Sequence, residues 1–284
     1  MTSKRPYDAL LFDLDGTLLG EDSRVRPRNK EMLQALEREG VLCLIATGRS
    51  LISTRPVIEE LGLESPAVVF NGAAIWCPKK QRFLEEQTLA DSTVERALEF
   101  AGGRDLMTVV MRTDSKVGTA PRNSAEEACI RAFHGLQIVE RPELRLDYSI
   151  RVTIFSEEHQ DSRVLCDEVE RAIDRPMYLT HFPLDHLPGF RDSRVVVCDV
   201  QPPCKGKGEA VRFLEDQYGI PPERVLAFGD ASNDVPMFEA AGMSVAMSDG
   251  MPEALEAAQE IIGDNDTDAI AEYLERVFEI TPAK

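Results

Sequence analysis

Within the first 70 residues, apolar runs at 8–12, 41–46 and 67–70 alternate with two helical stretches, and this alternation constrains the fold more than any other feature. The run at 41–46 is apolar at every position, so a strand made from it has no face for solvent. Such strands belong in parallel sheets covered on both sides. Pro27 opens a helical pattern that places Met32, Leu33 and Leu36 on one face, and Gly40 stops it. A second helix ends at Gly62. The strand–helix–strand–helix–strand order predicts an α/β fold with a parallel sheet between layers of helix.

The end of the chain repeats this grammar. A helix over 209–218 carries Ala210, Val211, Leu214 and Tyr218 at helical spacing, and Gly219 ends it. Strands are predicted over 225–228 and 244–247, a short helix over 233–241, and a final helix over 267–278 with Ile270, Leu274 and Val277 inward. The middle reads differently. Residues 148–156 alternate, with Ile150, Val152 and Ile154 on one face and Ser149, Arg151 and Thr153 on the other. Residues 107–111 and 194–199 are also strand-like, and helices fit near 124–133 and 158–173. One-sided strands imply an antiparallel sheet with one face covered by helices. The expected organisation is a core made of 1–82 and 201–284, with an α+β domain, 83–200, inserted into it; no internal repeat is evident.

Bulk properties narrow the function. The chain has 284 residues, enough for two domains. Its net charge of −18, from 50 acidic and 32 basic residues, argues against nucleic acid or an anionic membrane as a partner. No apolar run approaches the roughly 20 residues of a membrane span. Residues 1–7 are polar and leave no room for a signal-peptide core. Six scattered cysteines without a C-x-x-C pair suit reduced thiols in a cytoplasmic protein. The histidines at 134, 159, 181 and 186 lack zinc-ligand spacing, and His181 and His186 fit a loop better than a metal site. No feature specifies an oligomeric state.

Four segments carry chemistry. Asp13-Leu14-Asp15-Gly16-Thr17 follows the first strand; alternation sends both carboxylates to one side, and Gly16 permits a sharp turn after them. Two aspartates so close raise the cost of ionising each other unless a cation lies between them. Thr47-Gly48-Arg49 ends the second strand, where a hydroxyl and backbone N–H groups can meet a phosphate. Lys205-Gly206-Lys207-Gly208 precedes a helix and offers an ammonium to such a phosphate. Gly229-Asp230-Ala231-Ser232-Asn233-Asp234 follows a strand; a helix cap needs one Asp or Asn, and here there are three. Each of the last three, taken alone, also suits a cap or a solvated loop. Together they supply four carboxylates, a hydroxyl, an ammonium and an amide, three of the segments directly after strands of a parallel sheet, where ligands bind in open α/β folds. Hard oxygen ligands without Cys or His suit Mg²⁺ rather than zinc.

The ordered set D-x-D-G-T, T-G-R, K-G and G-D-x-x-N-D resembles the haloacid dehalogenase superfamily, and within it the Cof-like phosphatases, whose large α/β cap is inserted between the second and third motifs. Asn71-Gly72-Ala73 is also similar to that subfamily, whereas Ser248-Asp249-Gly250 departs from the Gly-Asn-Ala of many relatives. The resemblance implies a Rossmann-like core with an inserted cap and a phosphatase acting on small phosphorylated metabolites such as sugar or cofactor phosphates. It implies Asp13 as nucleophile and Asp15 as general acid and base, with Thr47, Gly48, Lys207 and Asn233 around the phosphoryl group. Mg²⁺ would be held by the Asp13 carboxylate, the Asp15 backbone carbonyl and Asp230, with Asp234 holding metal waters or Lys207. A sugar phosphomutase using the same chemistry, or a non-catalytic phosphometabolite-binding protein, are the alternatives.

Overall fold

The computed structural model describes residues 5–131, 133, 135–186 and 190–280. His134, the start of the polar N-terminal stretch (1–4) and the His186 side chain lie outside the described residues. The chain begins with β1 (Ala9–Phe12), α1 (Pro27–Arg38), β2 (Leu42–Ala46), α2 (Leu51–Leu61) and β3 (Ala67–Val69). After a reversal at Phe70–Gly72 come β4 (Ala74–Cys77) and β5 (Arg82–Glu86). The middle contains α3 (Asp91–Gly103), β6 (Met107–Met111), β7 (Lys116–Gly118), α4 (Ser124–Arg131), β8 (Leu136–Ile138), β9 (Arg151–Ser156), α5 (Ser162–Ile173), β10 (Tyr178–Pro183) and β11 (Val196–Gln201). The return comprises α6 (Glu209–Tyr218), β12 (Val225–Gly229), α7 (Val235–Ala240), β13 (Met243–Met247), α8 (Pro252–Ala257), β14 (Glu260–Ile262) and α9 (Ala269–Phe278).

Two compact units result. The first is the described chain through Arg49, Thr54–Glu85 and the return from Lys205; the second is Glu86–Cys204 with Ser50–Ser53. In the first, the strand order is β14-β13-β12-β1-β2-β3-β4-β5. β1 pairs in parallel with both β2 and β12, placing Phe12 opposite Ile45 and Phe228. Strand side chains alternate between two helical layers. Ala9, Leu11, Leu44, Val225 and Ala227 pack with Phe213 and Leu214 of α6 and Met237 of α7. Phe12 stacks on Phe228 at 4.9 Å, and Phe228 meets Tyr273 of α9 edge-on at 5.7 Å.

The sequence predicts a parallel sheet, but the sheet is mixed: β4 runs antiparallel to β3, and β5 extends that side. β5 and β14 have no long apolar run to announce them, whereas β4 lies in the apolar run 73–77. Both outermost strands carry charge (Arg82, Glu85, Glu86 and Glu260), a composition that discourages further pairing at a sheet edge.

In the second unit, the sheet order is β10-β11-β9-β6-β7-β8, antiparallel except for β7 with β8. Val110, Val152, Ile154, Cys198 and Val200 face Ala97 and Phe100 of α3 and Leu165, Val169 and Ile173 of α5. The opposite face was expected to be the open one, but it is buried too. There Arg151 reaches Gln201 Oε1 at 2.8 Å and lies 3.4 Å from Asp199 Oδ2, and the Thr153 hydroxyl donates to Asp199 Oδ1 at 2.5 Å. Buried polar side chains persist when they satisfy one another, so alternation marks two faces without saying which one meets water. His159 and His181 bond the hydroxyls of Ser156 (2.7 Å) and Ser162 (2.9 Å).

Candidate active site

Three neighbouring strands, β12, β1 and β2, deliver the first segments of the site from their C-terminal ends. The sheet ladder runs one residue beyond β1, because the Asp13 N–H donates to the Phe228 carbonyl at 3.0 Å. It runs beyond β2 likewise, with the Thr47 N–H donating to Val68 O at 2.9 Å. β1 is also the point from which the chain winds outward in both directions, to β2 and β3 on one side and β12 to β14 on the other. Ligand crevices of open α/β sheets form at such a switch point.

Gly16, at φ +81°, turns the backbone immediately beyond Asp13 and Asp15. A Cβ there would overlap the Asp230 carboxylate, so only glycine lets the two segments meet. The Thr17 hydroxyl donates to Asp230 Oδ1 at 2.8 Å. Lys207 lies in the turn Gly206–Gly208 ahead of α6 and is 1% exposed. Its Nζ is 2.6 Å from Asp13 Oδ1 and 2.6 Å from Asp234 Oδ1. The other oxygen of Asp234 accepts the N–H groups of Asp230 (3.0 Å) and Ala231 (2.9 Å). Asp234 therefore caps its turn and holds the lysine at once, which removes the choice between a cap and a site.

The electrostatics follow from this crowding. Burial pushes the Asp13 carboxyl up to about 7; Lys207 opposes the rise, while Asp234 and Asp15 add to it. Burial, then the charges of Asp13 and Asp234, hold Asp230 well above the ordinary carboxylate range. Burial works against the Lys207 ammonium too, but Asp13 and Asp234 outweigh it and raise that group. Among the described residues, Asp13, Asp230 and Asp234 form a group whose ligand oxygens all lie within 4.8 Å of one another. One ammonium among three carboxylates leaves negative charge uncompensated, and a hard divalent cation answers both the donor set and that charge.

The remaining residues are placed as follows. The Asp15 carboxylate stands apart from the three-aspartate group: Arg49 grips it, with Nε 2.7 Å from Oδ2 and Nη2 on Oδ1. Burial opposes the Arg49 charge, yet the bond to Asp15 raises its pKa. Thr47 is buried, and its Oγ1 accepts the Arg49 N–H at 3.1 Å. The Asn233 amide donates to Asn71 Oδ1 at 3.1 Å, and Gly48 lies against that same oxygen. Lys205 is exposed. Directly after Ser248-Asp249-Gly250, the Met251 N–H donates to Asp230 O at 2.6 Å, while the Asp249 side chain is exposed. Sequence reasoning assigned no role to Arg49, Thr17 or Asn71. Each stood within a quoted motif, which was the available signal; what was hidden was the partner, 34, 213 or 162 residues away.

A family profile described as haloacid dehalogenase-like hydrolase matches residues 10–274. The chain is 26% identical over 283 residues to the 5-amino-6-(5-phospho-D-ribitylamino)uracil phosphatase of Bacillus subtilis, covering 97% of this chain and 99% of that one. It is 28% identical over 269 residues to the pyridoxal phosphate phosphatase of Escherichia coli, covering 93% and 96%. Among solved structures, a phosphatase of the haloalkanoate enzyme superfamily from Bacteroides thetaiotaomicron superposes with a TM-score of 0.81 at 19% identity, covering 99% of this chain and 98% of that one. With a match across nearly its whole length, the chain belongs to the haloacid dehalogenase-like hydrolases and, within them, to the Cof-type phosphatases.

Proposed function

We propose that this phosphatase hydrolyses phosphate monoesters of small metabolites through an aspartyl-phosphate on Asp13, with Mg²⁺ as cofactor. The observation that carries the reading is the Asp13–Lys207–Asp234 contact: a buried carboxylate at the switch point of the sheet, touching a buried ammonium held from its other side. An anionic nucleophile must approach an anionic phosphate, and such a site lessens that repulsion.

In the first step an Asp13 oxygen forms a bond to phosphorus as the ester P–O bond breaks, and the leaving oxygen takes a proton from the Asp15 carboxyl. In the second, Asp15, now a carboxylate, takes a proton from water whose oxygen attacks phosphorus. The Asp13–phosphoryl bond breaks, inorganic phosphate leaves and both side chains return to their starting state. Both Asp15 oxygens accept from Arg49, so one of those contacts opens when Asp15 takes up its proton. Thr47, Gly48, Lys207 and Asn233 contact the phosphoryl oxygens. Mg²⁺ would be held by the Asp13 and Asp230 carboxylates and the Asp15 carbonyl, with Asp234 organising the loop. When bound, it supplies positive charge against the transferring phosphoryl group.

The two relatives named above act, by their names, on a phosphoribityl pyrimidine and on pyridoxal phosphate, which supports a small metabolite as substrate. Phosphate release across a panel of such compounds, with Mg²⁺ and with EDTA, tests the reading. Release from at least one compound that EDTA abolishes is the expected result. Release from none, or conversion of a hexose 1-phosphate to its 6-phosphate with retention of the phosphoryl group, would contradict it.

A further inference from the structure

The Asn71-Gly72 segment stands out in the sequence, and the chemistry above leaves it unused. Phe70 (φ +52°), Asn71 (φ +50°) and Gly72 (φ +98°) form three consecutive left-handed residues at the end of β3. Asparagine tolerates this region and glycine favours it, but a phenylalanine there is strained, and such strain persists only where surrounding structure enforces it. The enforcement is visible. Phe70 N–H donates to Arg49 O at 2.9 Å, Asn71 N–H to Thr47 O at 3.0 Å, and Ala73 N–H to Phe70 O at 3.2 Å. A Cβ on Gly72 would overlap the Gly206 carbonyl, next to Lys207. The reversal is thus wedged between the Thr47 loop and the Lys207 turn.

This conformation aims the Asn71 side chain at two further parts of the site. Asn71 is 3% exposed, its Oδ1 accepts from Asn233 Nδ2 at 3.1 Å, and an added Cβ on Gly48 would lie only 3.0 Å from the same oxygen. One residue therefore ties down the Thr47 carbonyl through its backbone and the Asn233 amide through its side chain. An amide whose nitrogen is committed to Asn71 keeps its second N–H for one direction only. We propose that Asn71 is a positioning residue, which fixes the Asn233 amide and the Thr47-Gly48 loop around the phosphoryl group. This rests on the phosphatase reading of the site.

Asn71→Gly makes the test sharp, because glycine accepts φ +50° without strain and only the amide is lost. A residue that serves folding alone would leave kinetics unchanged. A positioning residue predicts a fall of about tenfold or more in kcat/KM for nitrophenyl phosphate, the scale of one lost hydrogen bond to a polar partner, with the melting temperature held. In an Asn233→Ala background the same substitution should change kcat/KM by less than about twofold, since the residue through which it acts is gone. Orthovanadate read by thermal shift gives a second measure that needs no turnover: Asn71→Gly should require about tenfold more vanadate for the half-maximal shift. Wild-type kinetics and vanadate response in Asn71→Gly, or a full further tenfold loss on top of Asn233→Ala, would overturn the inference and leave the phosphatase reading standing. A wild-type chain with neither turnover nor vanadate response would overturn both.

Discussion

Lys205 and Lys207 stand two residues apart in opposite surroundings, one exposed and one buried against two carboxylates. Lys207→Ala should lower turnover on the order of 10²-fold or more, as for loss of a charge partner in the transition state. Lys205→Ala should stay within about twofold of wild type, as expected of an exposed residue away from the site. Steady-state kinetics on both variants checks the ranking, and the reverse order would place the phosphate contact on the wrong lysine. The choice of Lys207 over Lys205 comes from the resemblance, whose K-G motif has this spacing to the following helix; the burial of Lys207 between Asp13 and Asp234 agrees with it. The pairing of Asp15 with Arg49 was not legible. Nothing local distinguishes an arginine that enters solvent from one that crosses to a neighbouring strand end, and only the parallel pairing of β1 with β2 brings the two together.

At the scale of elements, the largely buried strands β1, β2, β3, β12 and β13 were readable because a mostly apolar run has few other places to go. The short edge strands β5 and β14 owe their existence to a neighbour and escaped, and β4 escaped although it is buried and interior to the sheet. The turns are where an element most directly sets chemistry. Gly16→Ala forces a Cβ into Asp230 at a left-handed φ. The variant should need about tenfold more Mg²⁺ for half-maximal activity; an unchanged metal titration would show that this turn does not shape the cation site. In the second unit, Lys116 of β7 is 2% exposed, and burial, then the Arg151 charge, lower it from its ordinary 10.5 to about 8. The folded state therefore disfavours the ammonium. Its destabilising effect is complete below about pH 8 and is relieved as pH rises towards 10.5, where the unfolded chain also loses the proton. Lys116→Met should stabilise the protein at pH 7 by on the order of 1–3 kcal/mol, with a gain that fades above about pH 8. Denaturation curves at several pH values check it, and a gain independent of pH would point to packing instead of charge.

At the scale of the whole molecule, four segments spread over more than 200 residues of sequence form one cluster, because a single sheet gathers the ends of β1, β2 and β12 and the turn ahead of α6 brings Lys207 to them. The ordered motifs made that cluster readable. The cluster's unmet negative charge makes metal the natural control. EDTA should abolish activity and excess Mg²⁺ restore it, whereas Ca²⁺ should bind and support little turnover, because its looser coordination spoils in-line geometry. Full activity in exhaustively chelated protein would contradict this part of the account.

The proposed mechanism bonds phosphorus to Asp13, and the Asp15→Asn variant exposes that bond. Without its base, the second step slows while attack on a substrate with a good leaving group such as nitrophenyl phosphate continues. Rapid acid quench of Asp15→Asn with excess nitrophenyl phosphate and Mg²⁺, followed by peptide mass spectrometry, should find a phosphoryl group on Asp13 and on no other residue. A phosphoryl group elsewhere, or sustained turnover with none on the protein, would contradict the account.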